Sequence, residues 1–198
     1  MVHRIGSFLS VAWAACVLTG CGTYRITPPV VVLTPTTVYV VDLGNTSKLI
    51  LPRFENGGLS GFDEFGFGDW EFYAKGNTSP IYAPFALLVP TGGTLTKREY
   101  RHDPAVWLDG SSEALHPIQV ERRAATDLQN RLAERFAAGS QTQLGDPEMG
   151  LSFVRDPDNY WLFHQSSSVV AGWLRELGCR VTGWTLVADF SVHQTDRQ

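Results

Sequence analysis

The sequence predicts an α+β fold: a single domain in which an antiparallel sheet packs on two helices. Three observations carry this. Short β-branched runs punctuated by Gly and Pro stand early in the chain, and a last β segment closes it. A long middle stretch repeats apolar residues every four positions, and a shorter helical pattern follows Ser166-Ser167-Ser168. Beyond residue 20 the chain has about 178 residues, enough for one well-filled core.

Residues 1–20 read as a targeting segment. His3 and Arg4 give a weakly basic start, and Phe8 to Leu18 is an apolar stretch of about eleven residues, too short to span a bilayer as a stable helix. It ends in Leu18-Thr19-Gly20-Cys21, small residues before a cysteine. That arrangement resembles the bacterial lipobox, and the resemblance implies diacylglycerol on the Cys21 thiol, with cleavage leaving Cys21 as the new N-terminus. Acyl chains contribute roughly 0.8 kcal/mol per buried methylene, and two or three together hold a protein on a membrane. Gly22 in place of Asp after the cysteine implies, by similarity to Gram-negative lipoprotein sorting, the outer membrane, facing the periplasm. A Gram-positive source would leave the protein on the outer face of the plasma membrane.

Residues 21–37 are expected to be the lipidated cysteine and a Pro/Thr-rich tether. Pro28-Pro29 and Thr34-Pro35 favour extended polyproline geometry, with Val30 to Leu33 available as a docked edge strand. The globular domain then spans 38–198. Val38 to Asp42 reads as a β-branched strand, and Leu49 to Leu51 as a second one ended by Pro52. Phe54 to Gly68, rich in Gly, Asp and Glu, reads as loop; Asp69 to Tyr73 alternates like a strand. Ala86 to Val89 is a short buried strand, with Leu95 to Tyr100 as its expected partner.

Pro117 suits a first helical position. Val120, Ala124, Leu128, Leu132 and Phe136 recur every four residues up to Gly139, an amphipathic helix of about twenty residues. Asp146-Pro147 and Asp156-Pro157 read as turns, and Tyr160 to Phe163 as a strand entering the serine run. Val169, Val170, Trp173, Leu174 and Leu177 make a second helix, stopped by Gly178. Arg180 to Val192 returns as β, interrupted at Gly183.

Charge and cysteines narrow the function classes. The net charge is −4, and about −5 without Arg4, so there is no footprint for nucleic acid or an anionic surface. With Cys16 removed and Cys21 modified, Cys179 has no partner for a disulfide within the chain. It reads as a small buried hydrophobe. No stretch elsewhere approaches eighteen apolar residues, leaving the lipid as the membrane attachment.

Three segments carry a family resemblance: Val38 to Pro52 (VYVVDLGNTSKLILP), Phe67 to Tyr73 (FGDWEFY), and Leu162 to Gly183. Together they look like bacterial envelope proteins of the circularly permuted, NlpC-type branch of the papain-like cysteine peptidase and acyltransferase superfamily. The resemblance implies a papain-like domain with a histidine just after the first strand and a nucleophilic cysteine at the start of a late helix. A helix N-terminus lowers a thiol's pKa, and a nearby imidazole holds it as thiolate. Related proteins have Gly-x-His where this chain has Gly44-Asn45-Thr46, so the base position matches Thr46. They have Asn-Cys-Asn or Asn-Ser-Asn where this chain has Gln165-Ser166-Ser167, so the nucleophile position matches Ser166.

Both departures remove chemistry. A threonine hydroxyl does not titrate near neutral pH and cannot serve as general base. A serine without a base scarcely populates its alkoxide. His164, two residues before Ser166, is one substitute base; His102, His116 and His193 are others if the fold brings them near. Ser167 or Ser168 suits a helix cap.

Around Phe65 to Gly68, the acids Asp63, Glu64, Asp69 and Glu71 read as solubilising loop residues, at no spacing a metal would use. Asp69, Trp70 and Tyr73 form a possible ligand rim, with flat apolar surface and a polar contact suited to glycan or peptide. No phosphate loop, dinucleotide fingerprint, Gly-x-Ser-x-Gly elbow or zinc cluster is present, and no cofactor is implied. Three functions follow. The first is an anchored, non-catalytic papain-like domain that binds an envelope ligand or protein. The second is a hydrolase or acyltransferase using Ser166 on peptide, amide or ester bonds. The third is a structural or assembly lipoprotein.

Overall fold

The structure, a computed structural model, describes residues 22–77, 79, 86–108, 114–146, 148 and 150–193. Ten strands and three α-helices are described: β1 (Tyr24–Thr27), β2 (Pro35–Asp42), β3 (Ser47–Glu55), β4 (Gly58–Asp69), β5 (Thr91–Tyr100), α1 (Pro104–Leu108), β6 (Ala114–Glu121), α2 (Arg122–Ala138), β7 (Leu144–Asp146), β8 (Leu151–Tyr160), α3 (Ser166–Glu176), β9 (Arg180–Thr182) and β10 (Phe190–Val192). Seven strands form one antiparallel sheet in the order β6-β2-β3-β4-β5-β8-β7. A small mixed sheet, β10-β1-β9, has β1 parallel to β10 and antiparallel to β9. The α+β class and the antiparallel sheet on two longer helices, α2 and α3, are as the sequence predicts.

The strands alternate, so each contributes to two faces. Val38, Val40, Leu49, Leu51, Phe65, Phe67, Leu95 and Val154 turn towards the helices, where Leu128 and Leu132 of α2 and Val170, Trp173 and Leu174 of α3 complete one buried cluster. Tyr39, Val41, Ile50 and Phe62 form a second cluster, and Trp70, Leu151 and Phe153 a third. A fully buried Val, Leu or Ile contributes roughly 1.5–3 kcal/mol, so the first cluster dominates the stability.

Several expectations give way to tertiary structure. Residues 22–37 are not a free tether: Tyr24 and Ile26 are buried, Tyr24 stacks on Phe190 at 5.3 Å, and Thr23 Oγ1 donates to Asp189 at 2.5 Å. The alternation Tyr-Arg-Ile-Thr was the strand signal. Pro35 to Thr37 belong to β2, and Val30 to Leu33, rather than pairing, leave Val30, Val31 and Leu33 exposed.

The region assigned to loop, 54–68, instead holds the central strand β4. Its turn is Asn56-Gly57, both at positive φ (50° and 80°), the two-residue hairpin chemistry that fits strand twist. Phe65 and Phe67 point to the helices, while Gly66 and Gly68 let other groups lie close: a Cβ on Gly68 would overlap the Tyr73 ring.

Asp63 and Glu64 are accordingly buried, not solubilising. Asp63 receives Arg53 Nη1 and Gln129 Nε2, each at 2.7 Å; Glu64 receives Lys48 Nζ at 2.7 Å and the Tyr100 hydroxyl at 2.8 Å. A buried carboxylate persists when it is paired and hydrogen-bonded.

Three further segments change type. Of Asp69 to Tyr73, expected as a strand, Asp69 ends β4 and the rest lies in a π-helix (Trp70–Ala74) capped by Asp69, whose carboxylate accepts from Phe72 N at 2.7 Å. Residues 86–88, expected as a buried strand, are helical, with Leu88 exposed. Pro117 does not start the helix; it lies in edge strand β6 opposite Tyr39. An edge strand tolerates the missing N–H.

Asp156-Pro157 makes no chain reversal but lies in β8, where the register with β5 shifts between Gly92 and Gly93. Finally, β8 ends at Tyr160, and residues 161–164 form a tight turn closed by backbone bonds between Trp161 and His164.

Candidate functional site

The start of α3 is built by Gln165. Its backbone is extended (φ −117°, ψ 175°), and its side-chain oxygen accepts from Ser167 N at 2.7 Å. Ser168 Oγ in turn accepts from Gln165 N at 2.9 Å and donates to Gln165 O at 2.8 Å. This is a reciprocal capping box with the long amide at the cap and the serine at the third helical position. Gln165 Nε2 donates to Thr185 O at 2.9 Å, tying the 183–189 loop to the helix start.

The three serines therefore have different fates. Ser168 closes the cap. Ser167 is fully buried and receives the Ser47 hydroxyl at 3.2 Å. Ser166, the nucleophile-equivalent position, is 3% exposed, and its Oγ lies 3.4 Å from Gln165 Oε1.

The base-equivalent Thr46 sits just before β3, in a turn closed by Leu43 N donating to Thr46 O at 3.0 Å. Its side chain lies beside the Tyr73 phenol, whose pKa burial pushes up. Neighbouring residues of an extended chain point to opposite sides, so with Thr46 turned to Tyr73, Ser47 is the residue that reaches the serine helix. The fold thus joins the two sequence-predicted segments through Ser47 and Ser167, one residue beyond each predicted position. The same turn is held from the other side. Ala188 N donates to Gly44 O at 3.0 Å and Phe190 N to Asp42 Oδ2 at 3.2 Å.

Among the described residues no imidazole bonds to Ser166. His102 and His193 are exposed and His116 stands in β6. His164 packs edge-on against Phe67 with centroids 4.9 Å apart, its Nε2 3.9 Å from Asp158 Oδ2.

Asp69, Trp70 and Tyr73 are not an open rim. Asp69 and Trp70 are buried, and Tyr73 is half-buried over Gly68. The Asp69 carboxylate caps the π-helix and accepts from Thr91 Oγ1, so it organises this face rather than presenting a contact to solvent. Arg155 covers the Trp70 ring, its guanidinium carbon 4.9 Å from the centroid.

An open groove of about 270 Å³ runs along α3 instead. Phe67, Phe163 and Trp173 give it aromatic walls, and His164, Ser168 and Glu176 give it polar ones. Arg135 and Asp158 stand at its edge, paired at 2.6 Å. His164 and Ser168 share this groove, but the Ser168 hydroxyl is committed in both directions to Gln165, its proton to the carbonyl. The sequence reading missed the groove because its walls come from β4, α2, β8 and α3. Phe163 and His164 were the nearest signal, apolar and titratable residues beside the serines.

Cys179 is buried, and burial pushes its thiol up to about 11. No group of metal-ligating side chains and no helix long and apolar enough to cross a membrane occurs among the described residues. Cys21 lies outside them. No protein-family model matches the chain, and neither curated proteins nor solved structures give a match.

Proposed function

We propose that this chain is a membrane-anchored bacterial envelope lipoprotein whose domain is a papain-like, permuted NlpC-type module without catalysis, binding an envelope component in the groove along α3. The carrying observation is the state of Ser166: 3% exposed, its hydroxyl next to the Gln165 amide oxygen and hydrogen-bonded to no described imidazole. A nucleophile must meet its substrate and have a base within about 2.6–3.2 Å; Ser166 has neither. The base-equivalent Thr46 is turned to Tyr73.

The groove suits binding. Its volume of about 270 Å³ lies just below the usual range of ligand sites, roughly 300–1,000 Å³, room for one sugar ring or part of a peptide. Aromatic walls with a few polar groups at the edge are the mixture that recognises such ligands. Anchorage rests on the lipobox-like Leu18-Thr19-Gly20-Cys21.

A serine-directed fluorophosphonate separates this reading from a Ser166 hydrolase. The folded protein is expected to carry no adduct on the peptide containing Ser166 by mass spectrometry; an adduct there overturns the non-catalytic reading. Titration with soluble peptidoglycan fragments, read by tryptophan fluorescence and compared with a Trp173→Phe variant, tests the groove. No spectral change with either sugar-only or peptide-only fragments counts against a ligand of this class.

A further inference from the structure

Three aromatic rings stand exposed in a row on one side of the protein. Trp161 lies 5.1 Å from Phe163, and Phe163 lies 6.0 Å from Trp184, centroid to centroid. They are 38%, 59% and 38% exposed. Leu162 N donates to Leu87 O at 2.9 Å, which sets Leu88, 77% exposed, beside the same turn. In a fold that buries Trp70, Trp173, Tyr24 and Tyr39 in its clusters, large apolar side chains gathered in one exposed place mark a contact surface.

The position of the chain start says what that surface meets. Gly22 packs so tightly on the loop after β9 that a Cβ there would overlap the Trp184 carbonyl oxygen. Gly183 is equally close to the Thr23 backbone. Gly22, the residue that follows Cys21 in sequence, therefore lies against the Trp184 backbone. With β1 locked between β9 and β10, no slack separates that point from the domain.

We infer that Trp161, Phe163 and Trp184 form a bilayer-docking face that lies in the headgroup region and holds the domain in one orientation on the membrane. The inference takes its anchor from the proposed acylation of Cys21. Trp is the side chain most at home in that region, with an apolar ring and a polar N–H. Phe163 also lines the α3 groove, so docking sets the groove mouth at the membrane surface. A ligand would then be drawn from the headgroup layer or from polymer lying on it.

The test uses the full chain, produced with its leader and reconstituted into vesicles of phosphatidylethanolamine and phosphatidylglycerol. A polarity-sensitive maleimide probe is placed by Phe163→Cys, and by Arg123→Cys as a control at the other end of α2 from Arg135. Cys179 is buried and its thiol is held protonated, so it takes no label in the folded protein. On vesicles the probe at 163 is expected to brighten several-fold, shift to the blue and be quenched by phospholipid brominated near the headgroup; the probe at 123 stays water-like.

A probe at 163 that stays water-like overturns the inference. So does one that is shielded but not quenched by bromolipid, as a second copy or a protein partner would shield it. The acylation reading is checked separately by labelling the unsubstituted protein. An acylated Cys21 takes no probe, whereas a free one does. If it does, quenching is read from the difference between variant and parent, and the same two outcomes decide the docking face.

Discussion

Ser47 and Ser167 meet hydroxyl to hydroxyl at 3.2 Å in the interior, although 120 residues separate them in sequence. The contact pins the start of β3 to the first turn of α3. Thr46 and Ser166, the expected base and nucleophile positions, are the immediate sequence neighbours of this pair. The Ser47 hydroxyl gives its proton to Ser167, so it is spent on packing.

The cap that fixes this junction is expected to be worth measuring directly. Gln165→Ala removes the acceptor for Ser167 N and the donor to Thr185 O. The lost cap and the orphaned carbonyl together should cost about 2 kcal/mol, read from urea unfolding. Loss of order in the 183–189 loop, seen by amide exchange, should accompany it. An unchanged midpoint would mean that the cap does not hold the loop.

Asp63 is the buried charge that α2 depends on. Asp63→Ala leaves the Gln129 amide without its acceptor and Arg53 to the more distant carboxylates of Glu99 and Glu55, at 3.5 and 3.7 Å. Arg53 and Lys97 keep about a fifth of their side-chain surface in water, which favours the low end of the usual 3–5 kcal/mol, about 3 kcal/mol. Equilibrium denaturation checks it; a cost well under 1 kcal/mol would show that solvent replaces the network.

Gly68 makes room for Tyr73. Gly68→Ala should displace the ring and with it the π-helix, costing about 1–3 kcal/mol. In a Tyr73→Ala background the same change should cost clearly less, because the overlap is gone. Additive effects in this cycle would remove the steric explanation.

Alkali should destabilise the fold. An unfolded thiol loses its proton near pH 9, whereas burial holds Cys179 protonated to about 11. Between those values the unfolded state binds fewer protons than the folded state, so stability falls as pH rises, by up to about 3 kcal/mol from this group. Tyr39, Tyr100 and Tyr160 are raised by burial and add in the same direction at higher pH. Thermal melts from pH 8 to 11 should fall steadily, and Cys179→Ala should flatten the first part of that fall.

Local signals of the right period were legible without a structure. The α+β class, β2, the body of α2, α3 with its Gly178 stop and the broken β return at Gly183 all follow from apolar spacing and turn residues. Asn56-Gly57 was an equally good hairpin signal. It was outweighed by the acids after it, because Asp63 and Glu64 look like solvent residues until Arg53, Lys48 and Gln129 are brought to them. The Tyr-Arg-Ile-Thr of β1 was likewise masked by the prolines that follow.

The sequence alone determined which residue types stand at positions 46 and 166: hydroxyls, with neither an imidazole nor a thiol. Side-chain chemistry needs no fold to be read. Tertiary structure decided where those hydroxyls point, which residues wall the groove, and that Gly22 is locked beside Trp184. Those are relations between segments far apart in sequence. They are set by strand register and by which face each residue takes, and a single slip of one residue exchanges Thr46 for Ser47 at the contact.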